Sequence, residues 1–192
     1  MKNIWIVLGV FIILGFIAFG WYQGGYNQIV ALDQGVKSSW AQVENQLQCR
    51  YDLIPNLVST VKGYAAHEKN ILEEVTRLRS QWGQTAQTAS IPDKVETANA
   101  LSGALSRLLL VSENYPNLKA DQNFLALQSQ LEGTENRISV ERMRYNEAVQ
   151  VYNSYQKSLL GRFFASHAGL TQEAVYFKTE TPQAHDVPKV QF

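Results

Sequence analysis

The chain has one cysteine, Cys49, in 192 residues. A lone thiol cannot close an intrachain disulfide or complete a zinc cluster, and none stands near the end of the apolar leader to carry a lipid. Neither sign of charge is in excess: 17 Lys and Arg balance 17 Asp and Glu, for a formal net charge of 0. Without a basic patch the electrostatic drive toward phosphates has no source, so nucleic acid is not an expected partner. Histidine is scarce as well, confined to His67, His167 and His185. His67-Glu68 begins like the zinc helix H-E-x-x-H, but Ile71 occupies the place of the second ligand. A Ser-His-Asp order, a phosphate-cradling glycine loop and a catalytic carboxylate pair are all missing. The sequence therefore reads as no enzyme, with no metal and no cofactor.

The longest gap is one of charge. Between Lys2 and Asp33 there is no ionisable Asp, Glu, Lys, Arg or His, and Ile4 to Tyr22 is rich in Ile, Leu, Val and Phe. That length suffices for a helix to cross a hydrocarbon core of roughly 30 Å. Ile4, Trp5, Phe11, Phe16 and Trp21 are its anchor residues, with Trp5 near one end and Trp21, Tyr22 and Tyr26 near the other. Aromatic side chains at both ends match an interfacial belt. A cleaved leader is the alternative, since Ala18-Phe19-Gly20 offers a small-x-small site. Lys2 before the span favours a short cytoplasmic start, with the rest on the extracytoplasmic (periplasmic) side of the inner membrane.

What is most regular lies further on. Phe124, Leu131, Ile138, Tyr145, Tyr152 and Leu159 fall seven residues apart, and Leu127, Thr134, Glu141, Ala148 and Tyr155 form a second series offset by three. Together they draw the apolar stripe of a coiled-coil or bundle seam along one helix, Asp121 to Leu160, roughly 60 Å long. Such a seam must be covered. Before it, helical spacing runs through Ile29, Val36, Trp40, Val43, Leu47 and Ile54, after a possible hinge at Gly24-Gly25. Pro55 predicts a kink or short break there, with Asp52 capping a new start. Leu57, Val61, Tyr64, Ile71, Val75, Leu78 and Trp82 continue the pattern, as one bent rod or two helices in line. Gly83 to Ser90 reads as a loop, Ser90 and Asp93 as the start of a third helix, and Tyr115-Pro116 as its end. Leu118 and Asp121 resemble a staple and cap for the long helix, and helical pattern fades after Gly161.

These elements predict an all-α chain: one N-terminal transmembrane helix, then an elongated antiparallel bundle of three to four long helices. Residues 1–25 would form the anchor, 26–165 the bundle and 166–192 an extended tail. The third helix, at about 30 Å, is half the length of the fourth. Part of the long seam is then left for the first rod, the tail or a second copy, which raises a homo-oligomer.

Several polar residues stand out as structural or interaction candidates. Glu68 shares a heptad series with Ile54, Val61, Val75 and Trp82, where a carboxylate needs a partner such as Lys62, Arg50 or Arg142. Tyr145-Asn146 and Tyr152-Asn153 lie one heptad apart, with the tyrosines on the seam and the asparagines beside it. Such pairs suit helix register rather than a ligand. Asp52, Pro55 and Asn56 complete the set.

At these residues the chain resembles the bacterial LemA family. The matching stretches are Tyr26-Asn27, Arg50 to Tyr64 (RYDLIPNLVSTVKGY), Ala65 to Lys69 (AAHEK), Val111 to Ala120 (VSENYPNLKA), Phe124 to Ile138 (FLALQSQLEGTENRI), Arg144 to Asn153 (RYNEAVQVYN) and Pro188 to Phe192 (PKVQF). The resemblance covers nearly all of the chain in order. It implies a single membrane helix followed by an antiparallel helical bundle outside the cytoplasm, and by association a link to membrane proteases or stress quality control. Two departures are Cys49, where the family usually carries a basic residue, and Ser154 to His167, which lacks the family's Phe-Pro. The family has no agreed biochemical activity.

The expected role is thus a non-enzymatic membrane-anchored scaffold that self-associates or holds a membrane protein partner, with the lipid bilayer as its first contact. The alternative is a receptor or accessory module that binds a small ligand or a membrane protease. The helical phase itself is testable. Ile138→Asp buries an unpaired carboxylate at a cost of several kcal/mol, against a domain stability of about 5–15 kcal/mol. It should unfold the bundle by circular dichroism, while the adjacent Arg137→Ala should leave the melting temperature unchanged. Equal melting temperatures would place the seam on the wrong face.

Overall fold

A computed structural model describes residues 2–178, apart from the side chains of residues 2–4, 6, 7 and 87. The anchor candidate Ile4 falls outside the described side chains, and Thr181 to Phe192, with the closing PKVQF, falls outside the described residues. The helices are α1 (Lys2–Tyr64), α2 (Lys69–Thr88), α3 (Ile91–Ser112), α4 (Pro116–Lys119), α5 (Gln122–Lys157) and α6 (Leu159–His167), and the described residues contain no strand. The expected all-α fold is what the chain adopts. The described residues divide into two compact units, one of residues 43–142 with 175–178 and one of residues 2–42 with 143–174.

In the first unit, α1, α2, α3 and α5 pack around a shared core. Leu47, Ile54, Leu57 and Val61 of α1, Val75, Leu78 and Trp82 of α2, Leu101 and Leu108 of α3, and Phe124, Leu131 and Ile138 of α5 are all buried. Directions follow from the side-chain pairs. Tyr51 stacks on Trp82 at 4.6 Å, and Trp82 Nε1 donates to Gln48 Oε1 at 3.3 Å, so α2 runs antiparallel to α1. Arg107 pairs with Glu74 at 2.7 Å, reversing the chain again in α3. Lys94 pairs with Glu44 at 2.6 Å, and Tyr64 donates to Asp121 at 2.9 Å, which sets α3 parallel and α5 antiparallel to α1.

Three expectations are corrected here. Pro55 lies inside α1 without ending it, so Asp52 caps nothing; Asp52 instead accepts from Gln48 at 2.8 Å, one turn back. Ile54, Leu57 and Val61 are buried on either side of the proline, and that packing outweighs one lost backbone hydrogen bond. The chain breaks at residues 65–68 instead, and α2 folds back on α1 rather than following in line. Gly83 to Thr88 is helical, not a loop: Trp82 anchors the turn before it, and small polar residues tolerate helix where no side chain must pack. The other boundaries agree with the sequence. Ser90 Oγ accepts from Asp93 N at 3.4 Å at the start of α3, and Asp121 Oδ1 accepts from Phe124 N at 2.9 Å at the start of α5.

In the second unit, the early part of α1 lies against the end of α5 and against α6. Trp40 meets Tyr145 edge-on at 5.2 Å, and Tyr155 Oη donates to Gly25 O at 3.2 Å, so the two long helices are antiparallel here also. Gly24-Gly25 is not a break in α1. A Cβ on Gly25 would stand 2.1 Å from Phe164 Cε2, so this glycine serves close packing of α6. The long helix stops at Lys157, where Ser158 Oγ accepts from Gly161 N at 3.0 Å and starts α6. Leu159, placed on the seam by its spacing, is consequently 90% exposed. The pattern does not fade after Gly161: Phe164 and Ala165 are buried and α6 continues to His167. Phe124, Leu131, Ile138, Tyr145 and Tyr152 are all buried within one chain, so the unequal helix lengths do not call for a second copy.

The boundary of α2 is open to a direct check. Nothing lies within 4 Å of a Cβ built on Gly83, so Gly83→Ala should raise stability by up to about 1 kcal/mol if that stretch is helical. Trp82→Ala removes the ring stacked on Tyr51 and should cost about 3–5 kcal/mol. Chemical denaturation measures both, and a destabilised Gly83→Ala would restore the loop.

Candidate functional site

The feature that no water-soluble core explains is the outer surface of α1. Trp5, Phe11 and Phe16 are 72%, 70% and 73% exposed, with Leu8, Val10, Ile12, Ile13, Leu14, Ile17 and Phe19 each at least half exposed. α1 carries a segment apolar and long enough to cross a membrane, none of it buried within the chain. A contiguous apolar surface of this size is unfavourable in water and marks a lipid or protein contact. Of the anchor candidates, Trp5, Phe11, Phe16 and Trp21 all lie on it.

At the end of this surface the rings gather. Phe164 of α6 packs 5.2 Å from Trp21 and 5.9 Å from Tyr22 by ring centroids, and Tyr22 also meets Phe163 and His167. The described tail is then strapped down. Gly169 adopts φ 69°, a left-handed conformation that glycine reaches without strain, and turns the chain out of α6. Asn153 binds Ala174 twice, Nδ2 donating to its carbonyl and Oδ1 accepting from its N–H, each at 2.9 Å. Gln156 donates to the carbonyls of Leu170 and Gln172 at 2.7 and 3.0 Å, and Tyr152 Oη reaches the same two at 3.3 Å. The buried amides thus act as a neighbouring strand would, satisfying the backbone of an extended segment. The pair Tyr152-Asn153 holds the returning chain, where helix register was expected. Tyr145, one heptad earlier, lies fully buried against Trp40, and burial pushes its hydroxyl up to about 12.

The other unit holds a polar cluster of its own. Arg50 is buried, donates to Ser102 Oγ at 2.9 Å and forms an ion pair with Glu135. Burial pulls the Arg50 guanidinium down, and attraction to Glu135 opposes that pull. Arg142 stands 4.4 Å over the Phe177 ring, and Asn99 Nδ2 donates to Lys178 O at 3.0 Å. Glu68, expected to pair with Lys62, Arg50 or Arg142, instead accepts from Tyr115 Oη at 2.9 Å, because it lies in the turn before α2 rather than on the seam. Pro55 and Asn56 are exposed; Asn56 lines a shallow groove with Ser59, Thr60 and Gln130. A larger groove of about 640 Å³ lies between α1 and α2, with Val58 and Leu72 inside and Lys62, Lys69, Glu73 and Arg77 around it. Among the described residues no three His, Cys, Asp or Glu side chains are grouped to hold a metal. Sequence reasoning missed Gln156, Phe164 and the glycine beneath that ring. A signal was present: Gln156 follows the Tyr-Asn pair by one turn, and Phe163-Phe164 repeats the aromatic character of Trp21-Tyr22.

An all-α packing joined to an exposed apolar helix defines a membrane-associated helical protein. The chain belongs to the LemA family, whose model matches residues 39–192. Among characterised proteins it is similar to magnetosome protein MamQ 1 and MamQ 2 of Paramagnetospirillum magneticum, each 25% identical over 170 residues covering 77% of this chain. Magnetosome protein MamQ of Magnetospirillum gryphiswaldense is 23% identical over 151 residues. The chain spans 62% of the length of the first two relatives and 56% of the third.

The strap gives a measurable consequence. Asn153→Ala removes two hydrogen bonds at about 1 kcal/mol each, leaving the Ala174 N–H and carbonyl without that partner. It should lower stability by about 2 kcal/mol and open residues 170–178 to limited proteolysis, read by mass spectrometry. Unchanged protection of that segment would mean Gln156 and Tyr152 hold it alone.

Proposed function

We propose that this protein is a non-enzymatic scaffold, anchored in the inner membrane through α1, that presents its helical core on the extracytoplasmic (periplasmic) side. The observation that carries it is the exposed apolar run of α1, on the same unbroken helix whose later residues lie in a close-packed core. One helix thereby couples a lipid contact to a rigid support without a flexible linker. Copies held in one plane have a raised effective concentration, which favours association with one another or with a membrane protein. The open groove between α1 and α2, with three cations and one carboxylate at its edge, supports a second reading as an accessory module for a small ligand or a protease.

Carbonate-washed membranes should retain the full chain, and removal of residues 1–22 should release it to the soluble fraction. Full-length protein in the carbonate supernatant would overturn the anchor. Cysteines placed singly on exposed positions of α5, in a Cys49→Ser background, should crosslink between copies in membranes. Particles with the mass of one chain and no crosslinks would mean that the protein works as a monomer or with an unlike partner.

A further inference from the structure

The anchor accounts for α1 but not for α6. Of its nine residues, Gly161, Phe164 and Ala165 are buried, whereas Leu159, Leu160 and Phe163 are 90%, 50% and 46% exposed. At about 100° per residue these sets occupy separate stripes: 161, 164 and 165 on one side, 159, 160 and 163 within about 100° of arc on another. One stripe is explained by the rings of Trp21 and Tyr22 and by Gly25, against which Phe164 packs. The outer stripe has two leucines and a phenylalanine in solvent, with His167 on the same stripe one turn past Phe163 and Arg162 at its edge, both exposed. Its position is informative. Phe164 touches the residues with which the apolar run of α1 ends, where a spanning helix meets the headgroups. Apolar side chains on one face, a basic residue at the edge and a neighbouring aromatic belt are the features of a helix lying in a membrane interface.

We infer that α6 is a second membrane contact: a short helix docked on Trp21 and Tyr22 that buries Leu159, Leu160 and Phe163 among lipid headgroups and upper acyl chains, with Arg162 toward lipid phosphate. The occupant is lipid rather than another protein because the outer stripe meets the end of the exposed apolar surface of α1, Phe163 lying 6.5 Å from Tyr22 by ring centroids, next to Trp21, itself 53% exposed. The tight capping at Ser158 and the close approach at Gly25 hold the helix in this place before any membrane is present. The strap through Asn153 and Gln156 then begins directly after an interfacial element, so α6 fixes the depth at which the chain re-enters its core.

This inference rests on the anchor proposed above, and the test separates the two. Single cysteines at Leu159, Leu160, Phe163, Phe11 and Lys37 are introduced into the full chain in a Cys49→Ser background and labelled with an environment-sensitive fluorophore. The protein is reconstituted into vesicles of phosphatidylcholine and phosphatidylglycerol carrying nitroxide-labelled lipid. Lys37 stands 15 residues past Tyr22, about 22 Å further along α1, and serves as the aqueous reference. Labels at 159, 160 and 163 should be blue-shifted and quenched severalfold more than at 37, most by nitroxide placed near the headgroup. The label at 11 should be quenched most by nitroxide deep in the chain. Quenching at 11 with α6 positions no different from 37 overturns the inference and leaves the anchor standing, as does crosslinking of the α6 cysteines to a second copy without quenching. No quenching at 11 overturns both.

Discussion

The seam of α5 is the constraint on which the rest depends. A helix of 36 residues with Phe124, Leu131, Ile138, Tyr145 and Tyr152 on one stripe is unstable in water unless that stripe is covered along its length. α1 answers this in both units, running antiparallel to α5 beside Asp121 through Tyr64 and beside Tyr145 through Trp40. Because α1 must stay in register over so many turns, it tolerates Pro55 without breaking. For the same reason Gly24-Gly25 remains helical despite a propensity cost of about 1 kcal/mol per glycine.

The polar groups inside this packing connect segments of the chain that lie far apart in sequence. Arg50 links α1 to Ser102 of α3 and to Glu135 of α5, a pair whose carboxylate stays half exposed, which lowers the desolvation it must overcome. Asn153, Gln156 and Tyr152 bond the carbonyls of Leu170, Gln172 and Ala174 and the N–H of Ala174, in a segment with no ladder of its own. Each arrangement satisfies groups that would otherwise be costly to bury.

Much of this was legible in the chain itself. A period of seven sustained from Phe124 to Tyr152 can only be a helix seam, and all five of its apolar members are buried. The starts of α3 and α5 were legible because an oxygen-bearing side chain three residues ahead of a backbone N–H is a local device. The site was harder. Tyr152-Asn153 was visible as a polar pair needing partners, but those partners are backbone groups some 20 residues onward, and no local spacing announces them. Glu68 found Tyr115, 47 residues away, for the same reason.

Sequence alone determined the class: an uncharged apolar run before Asp33, helical periodicity after it, and capping chemistry where helices begin, all of which are properties of neighbouring residues. Tertiary structure decided where the chain turns and what each surface faces. Local preference would have broken the helix at Pro55 and ended the one before Gly83, yet the buried neighbours Ile54, Leu57 and Trp82 kept both intact, since the burial of one large side chain outweighs a single backbone preference. Conversely, seven-residue spacing placed Leu159 inside, and the cap at Ser158 turned it out, because a heptad holds only while the helix that carries it continues.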